Sequence, residues 1–412
     1  MKPILRLRAA TLTAITLLAS ALFTFQVSVP VRATTGIPVC GSGYGHGVGL
    51  SQYGAYGRAV SGQGYARIVK AYYHGVRLTR YGNNPLVRVL LARKSSGGAY
   101  TIWVAPGGTA RLTPAGTGVS LTLGPGGYRI SYLSRVGRYR VKDLSSGKKL
   151  GDYRGPIIFR RASGGFLHYG GRSYRGALIV RVSGGSFYLV NRLGLEGYVR
   201  GVVPNEMPPS WPRAALEAQA VASRSYARSA LEAHARVFDL TGSDERYLGA
   251  SSETPSTNHA VSKTRGVVAT YAGSPIKAFY YSSDGGYTEA SSYVFGPEPY
   301  LKAMKDTTPA GQPYDAIGGS PWMRWSGTIS PWSSPGLGIG AITGVRVLGR
   351  SPSGRVTKVE VDGTQGKRIV SGEYAVRYAF SPGDLIRADG SIYHATSLPS
   401  ARVSFGAACR GG

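Results

Sequence analysis

Acidic residues are scarce in this chain. Its 412 residues hold 20 Asp+Glu against 49 Lys+Arg, a formal net charge of +29. That imbalance calls for a polyanionic neighbourhood. Nucleic acid is the usual partner of so basic a chain, but no helix-turn-helix, zinc finger or aromatic RNA-binding motif is present, so nucleic acid is excluded as the expected partner. Cysteine is scarcer still, with only Cys40 and Cys409, near the two ends. The histidines are scattered without the two-or-four-residue spacing of metal ligands, so neither metal nor cofactor is expected. Long apolar runs are absent except at the start. There Lys2, Arg6 and Arg8 precede an apolar stretch from Ala9 to Phe25, followed by Val31-Arg32-Ala33. This reads as a secretory leader over 1–33, cleaved after the small residue. An uncleaved anchor is the alternative, since the run approaches the ~20 residues that span a bilayer. For an exported protein, anionic wall polymers or a phospholipid surface explain the charge. Two tempting hydrolase motifs also fail. Gly49-Leu50-Ser51-Gln52-Tyr53-Gly54 misses the G-x-S-x-G spacing by one residue, and Ser145-Ser146-Gly147-Lys148 lies in a glycine turn without the companion motifs of penicillin-binding enzymes.

Glycine, by contrast, is abundant, with 60 residues and no collagen period, which suits turns between many short strands. A short helix is expected over Ala66–Tyr73, stopped at Gly75. Leu86–Leu91, Tyr128–Leu133 and Leu178–Val182 are β-rich runs punctuated by Gly-Gly, Pro-Gly and Ser-Gly. Ser210 to about Val237 is the strongest helix signal. Ser210 can cap it, Pro212 fits the first turn, and Ala215–Ala235 is rich in helix formers. Its small residues would let it pack closely against a sheet. Strand-like runs follow at Gly266–Tyr271, Ile276–Tyr281, Val356–Val361 and Ala375–Phe380. The expectation is an α+β protein, β-rich, with one long alanine-rich helix and a single main cleft, in one lobe or two. The expected divisions are 34–80, 86–190 (β-rich), 191–300 (core) and 301–412 (the rest of the same domain as the core).

The candidate for chemistry is Glu206, within Leu195-Glu196-Gly197-Tyr198-Val199-Arg200-Gly201-Val202-Val203-Pro204-Asn205-Glu206-Met207-Pro208. Prolines restrict the backbone that presents it, and apolar Met207 and Trp211 disfavour its charged form, as a general acid requires. The plainer reading is a glutamate in the entry loop of the following helix, favoured by the helix dipole. Dipole and burial would push its carboxyl in opposite directions.

This run resembles the hallmark of the SpoIID/LytB family of bacterial cell-wall proteins. The resemblance continues through Ser210-Trp211-Pro212, Ala218–Ala227, Ala260–Gly273 and Tyr281-Ser282-Ser283-Asp284-Gly285-Gly286-Tyr287-Thr288-Glu289, and includes Gly43-Tyr44-Gly45-His46-Gly47-Val48-Gly49-Leu50-Ser51-Gln52-Tyr53-Gly54-Ala55. It implies a peptidoglycan lytic transglycosylase acting on denuded glycan strands with Glu206 as acid/base, or alternatively a non-catalytic wall-binding enhancer of an N-acetylmuramoyl-L-alanine amidase. It also implies substrate contacts at His46, Ser51, Gln52, Gln219, Arg224, Tyr226, Ser282, Ser283, Gly285 and Gly286. Each has a plain alternative: a turn histidine for His46, an ordinary β-turn for Ser282–Gly286, packing for the others. No second carboxylate pairs obviously with Glu206. Glu196, Asp239, Asp244 and Glu289 are available, and a single carboxyl suffices for a transglycosylase.

Two departures from the family pattern carry expectations of their own. Relatives place the Gly-His-Gly word last, whereas here it comes first, as though the domain were circularly permuted. A Cys40–Cys409 disulfide would then join segments that relatives join through the backbone. Some relatives carry zinc ligands after the long helix, but Phe238–Tyr247 here contains neither Cys nor His. The resemblance therefore implies a secreted, wall-associated protein whose partners are glycan strands, anionic polymers or a membrane surface, and a wall amidase in the enhancer reading.

Overall fold

The two ends of the described chain lie side by side. A computed structural model describes residues 36–231 and 237–409; the leader expected over 1–33 lies outside them. Strand Ile37–Gly41 sits between Trp325–Ile329 on one side and Val403–Phe405 on the other, antiparallel to both, and Gly383–Arg387 and Ile392–Ala395 complete a five-stranded sheet. Cys40 pairs in register with Ser404 and Ser326, and Cys40 and Cys409 form a disulfide. A core of Val39, Trp325, Ile329, Val359, Phe380 and Val403 lies under this sheet and the neighbouring three-stranded sheet Ile342–Arg350, Val356–Gly363 and Gly366–Ser371.

The expected β-rich runs fall within longer strands, Leu86–Ser95, Gly126–Leu133 and Ala177–Ser183, distributed over a seven-stranded and a six-stranded sheet. Alternation along Ala99–Val104 buries Tyr100, Ile102 and Val104 on one face. The class is α+β, as the sequence predicts.

Three elements differ from expectation. The long helix covers Arg213–Leu231, beginning after Pro212, and residues 232–236 lie outside the description. It is packed mainly by other helices, Leu195–Glu206, Pro255–Lys263, Gln52–Val60 and Tyr65–Tyr72, and by the strand Val267–Tyr271. Its buried alanines give all of these neighbours close approach. Ala375–Phe380 is not a strand: Glu373–Tyr378 is a helix, because Val376, Arg377 and Phe380 bury together at helical spacing. A short apolar run of this length cannot separate the two periods. Ile276–Tyr281 pairs only at Tyr280–Tyr281, parallel to Leu50–Ser51.

Candidate functional site

Glu206 is the last residue of the helix Leu195–Glu206, with Met207 as its C-cap. This corrects the expectation of a loop just before a helix N-terminus. Pro204 removes one helical hydrogen bond, but so near the end that the helix continues past it. The Glu206 carboxylate therefore leaves a helix C-terminus, where the dipole gives it no support. Its support comes from elsewhere in the chain. The Gln52 side-chain amide donates to Oε2 at 3.2 Å, and the Arg246 backbone N–H donates to Oε1 at 2.8 Å.

Gln52 owes its position to the start of the helix Gln52–Val60. Ser51 caps that helix by accepting from the Gly54 N–H at 3.1 Å. The helix lies very close to its neighbours. A Cβ on Gly54 would fall 2.1 Å from the Tyr72 hydroxyl, and one on Gly57 would fall 1.9 Å from the Tyr314 carbonyl oxygen. Only glycine fits at either position, so the Gly-x-x-Gly spacing sets how deeply Gln52 enters.

Around Glu206 lies an open cleft of about 470 Å³, lined by Tyr44, Gly45, His46, Gln52, Tyr53, Pro208, Trp211, Asp244, Arg246, Tyr280, Tyr281 and Ser282. Trp211 packs its ring against Tyr53 and Tyr56, with centroids 4.9 and 5.2 Å away. Tyr53 and Trp211 both line the cleft and give it aromatic surface. A second cavity of about 270 Å³ adjoins the cleft and shares His46, Asp244 and Tyr280 with it.

Of the residues singled out in the sequence, Glu206, His46, Gln52 and Ser282 line the cleft. Gln219 lies behind it, fully buried, accepting from Gln52 at 3.5 Å. Tyr226 lines the adjoining cavity, and burial pushes its hydroxyl up to about 12, so it stays protonated. The remaining residues go elsewhere. Arg224 is wholly buried, bonded through both guanidinium ends to Glu196 at 2.8 and 2.9 Å and to the carbonyls of Ala220, Val261 and Val267. Of the carboxylates weighed as partners for Glu206, Asp239 is held by Arg88, and Glu289 is buried against Ser351 and Ser353. Asp244 alone reaches the cleft.

His46 accepts from the Val48 N–H at 3.1 Å through Nδ1, packs against Phe295 and Tyr281, and is hydrogen-bonded to the Tyr280 backbone. Burial, then the charges of Arg377 and Arg355, push its imidazole down to about 3. It is therefore neutral at physiological pH and serves the turn as much as the cleft.

Ser51, Ser283 and Gly285 converge on Asp315 beneath the cleft. Ser51 donates to its Oδ1 at 2.7 Å; Ser283 and the Gly285 N–H donate to its Oδ2. The Gly286 N–H donates to Asp284 Oδ1 at 2.5 Å. Gly285 has φ +65°, and a Cβ there would lie 2.7 Å from the Ser42 hydroxyl, so this loop requires glycine. Asp284, Asp306 and Asp315, all buried, bring carboxylate oxygens within 4.8 Å of one another. They form the one group of carboxylates among the described residues with the geometry to hold a cation. Most of their oxygens are already taken. Arg58 and Tyr72 bond Asp306 at 2.5 and 2.6 Å, and only Asp284 Oδ2 has no partner. Burial, then the charges of Asp315 and Asp306, raises Asp284 well above its usual range, and burial pushes Asp315 up to about 6 against the pull of the Ser283 and Ser51 hydrogen bonds. Asp284 therefore favours its protonated form.

The residue that sequence reasoning missed is Glu245. It is 1 % exposed, borders the adjoining cavity, and accepts from the hydroxyls of Tyr198 at 2.8 Å and Tyr280 at 2.9 Å. Nothing in the polar run around it marks burial.

Residues 183–271, which contain Glu206, Gln219 and Glu245, match the family described as SpoIID, stage II sporulation protein. The chain is 43 % identical over 133 residues to the amidase enhancer of Bacillus subtilis, covering 32 % of this chain and 17 % of that protein. It is 36 % identical over 135 residues to stage II sporulation protein D of B. subtilis, covering 28 % and 39 %. An uncharacterised protein of Brachyspira hyodysenteriae is 37 % identical over 190 residues, covering 45 % and 47 %. The chain spans about half or less of the length of these three relatives. It carries a domain of the SpoIID/LytB family.

Proposed function

We propose that the protein is a peptidoglycan lytic transglycosylase acting on denuded glycan strands, with Glu206 as its general acid and base. The observation that carries this reading is the Glu206 carboxyl in an open cleft, held by one side-chain amide and one backbone N–H. Protonated Glu206 gives its proton to the glycosidic oxygen as the bond from the anomeric carbon to that oxygen breaks. The muramyl C6 hydroxyl then bonds the anomeric carbon and returns its proton to Glu206. Atoms balance without water, so a second carboxylate holding a nucleophilic water is not required. Trp211 and Tyr53, which line the cleft, offer aromatic surface for sugars. The charge of +29 suits retention on anionic wall polymers after export, testable as salt-dependent elution from isolated walls.

A second reading rests on the 43 % identity to a protein named amidase enhancer: a wall-binding module that stimulates an amidase. Mass spectrometry of denuded glycan incubated with the protein and with Glu206→Gln separates the two. Anhydro-muramyl ends from the unmutated protein alone support the transglycosylase. Stimulation of an amidase by both proteins, with no anhydro ends from either, supports the enhancer.

A further inference from the structure

Glu245 lies buried between two exposed neighbours, Asp244 and Arg246. Three routes lead from it to Glu206. First, the Ser223 hydroxyl donates to Glu245 and accepts from the Gln219 amide at 3.1 Å; Gln219 in turn accepts from Gln52, whose amide donates to Glu206. Second, the residue after Glu245 supplies the backbone N–H that holds the other Glu206 oxygen. Third, Tyr280, which donates to Glu245, sits on a strand paired in register with Leu50, two residues before Gln52. Tyr198, a further donor to Glu245, lies on the helix that ends at Glu206. Both donors that hold Glu206 thus trace back to one buried carboxyl.

We propose that Glu245 is a positioning carboxyl for Glu206, anchoring the hydrogen-bond chain Glu206–Gln52–Gln219–Ser223–Glu245 at its buried end. The catalytic consequence rests on Glu206 being the acid/base argued above; the chain itself can be read without turnover.

The environment of Glu245 makes this anchor sensitive to pH. Tyr198 faces it from the Leu195–Glu206 helix, Ser223 and Tyr226 from the Arg213–Leu231 helix, Tyr73 from the end of the Tyr65–Tyr72 helix, and Tyr280 from its strand. His46, neutral, and Asp244 border the same cavity. Burial pushes Glu245 up to about 8; the three hydroxyl donors pull the other way, and the Glu206 charge adds to the rise. At neutral pH the anchor is uncharged. Above about 8 it becomes a buried negative charge close to Glu206.

The test is a carboxyl-carbon NMR titration of the protein labelled at glutamate, from pH 4 to 10, for the unmutated chain, Glu245→Gln and Ser223→Ala. The Glu206 resonance should show a second inflection at the Glu245 step in the unmutated protein and none in Glu245→Gln. Identical Glu206 curves in the two proteins would overturn the proposal. If Glu245→Gln does not fold, Ser223→Ala cuts the chain by one hydroxyl and leaves both carboxyls in place. It should lower kcat about 10-fold to 10²-fold with KM unchanged, since misplacement of about 1 Å costs that much, and an unchanged kcat would also overturn the proposal. A coupled NMR titration in a protein that makes no anhydro ends would leave Glu245 as the anchor and refute the transglycosylase instead.

Discussion

Breaking the Cys40–Cys409 disulfide tests the join between the two ends of the chain. The bridge closes a sequence separation of 369 residues. In the chain-entropy account a cross-link over a loop of that length restricts the unfolded chain by about 6 kcal/mol at 25 °C, and typical measured values are about 2–4 kcal/mol. The native side of the balance changes little, because Ile37–Gly41 remains hydrogen-bonded to strands on both sides. A loss of about 3–6 kcal/mol is therefore expected for Cys40→Ala/Cys409→Ala. At the average unfolding entropy per residue, that lowers the thermal midpoint of a domain this size by about 4–8 °C. The assay is calorimetry of the oxidised protein and the double variant, with tryptophan fluorescence alongside. Trp325, buried and paired with Gly41, reports the opening of the clasp directly. A midpoint shift below about 1 °C would refute the reasoning, because the cross-link would then not be restricting the unfolded chain.

Other outcomes follow from single contacts. Arg224→Ala strands the Glu196 carboxylate in a largely buried place and should cost about 3–5 kcal/mol in denaturant unfolding, with glycan affinity unaltered. Gln52→Ala removes one of two donors to Glu206 and should lower turnover about 10-fold or more at unchanged thermal midpoint. Stability should fall as pH rises from 6.5 to 8. Glu245 and Glu373 are raised by burial to about 8 and about 7, so the folded state binds more protons than the unfolded state across that window. His46, pushed down, acts only below its ordinary range. The change across that window amounts to about 2 kcal/mol from Glu245, and urea melts of Glu245→Gln should lack that part.

The sequence made Glu206 and Gln52 visible because both lie in long family words, and the α+β class visible through turn spacing and one helix rich in alanine. It did not join the two residues, since their hydrogen bond crosses 154 positions and depends on the closeness permitted by Gly54 and Gly57. Glu245 was illegible for a different reason. Burial of an acid in a polar run is decided by what folds over it, here the hydroxyls of Tyr198, Tyr280 and Ser223, each from a separate element. Pro204 restricts the backbone from inside the helix that ends at Glu206, where its cost is small because so little helix remains after it. Glu373–Tyr378 misled because six residues are too few to distinguish the two periods. Arg224 matched a family position, yet its fork is spent on Glu196 and on carbonyls.

The placement of Ile37–Gly41 between Trp325–Ile329 and Val403–Phe405 also fixes the order in which the molecule can be completed. A chain that emerges N-terminus first, from a ribosome or through a translocation pore, presents this strand before either partner exists. Gly43 and Tyr44, which lead into the cleft, bond to Trp322 and Ser283 and must wait as well. Partial chains then hold Gln52 and Glu206 without the frame that brings them together. Ile37–Gly41 stays open on one side until Val403–Phe405 has been made, and only then can the five-stranded sheet close.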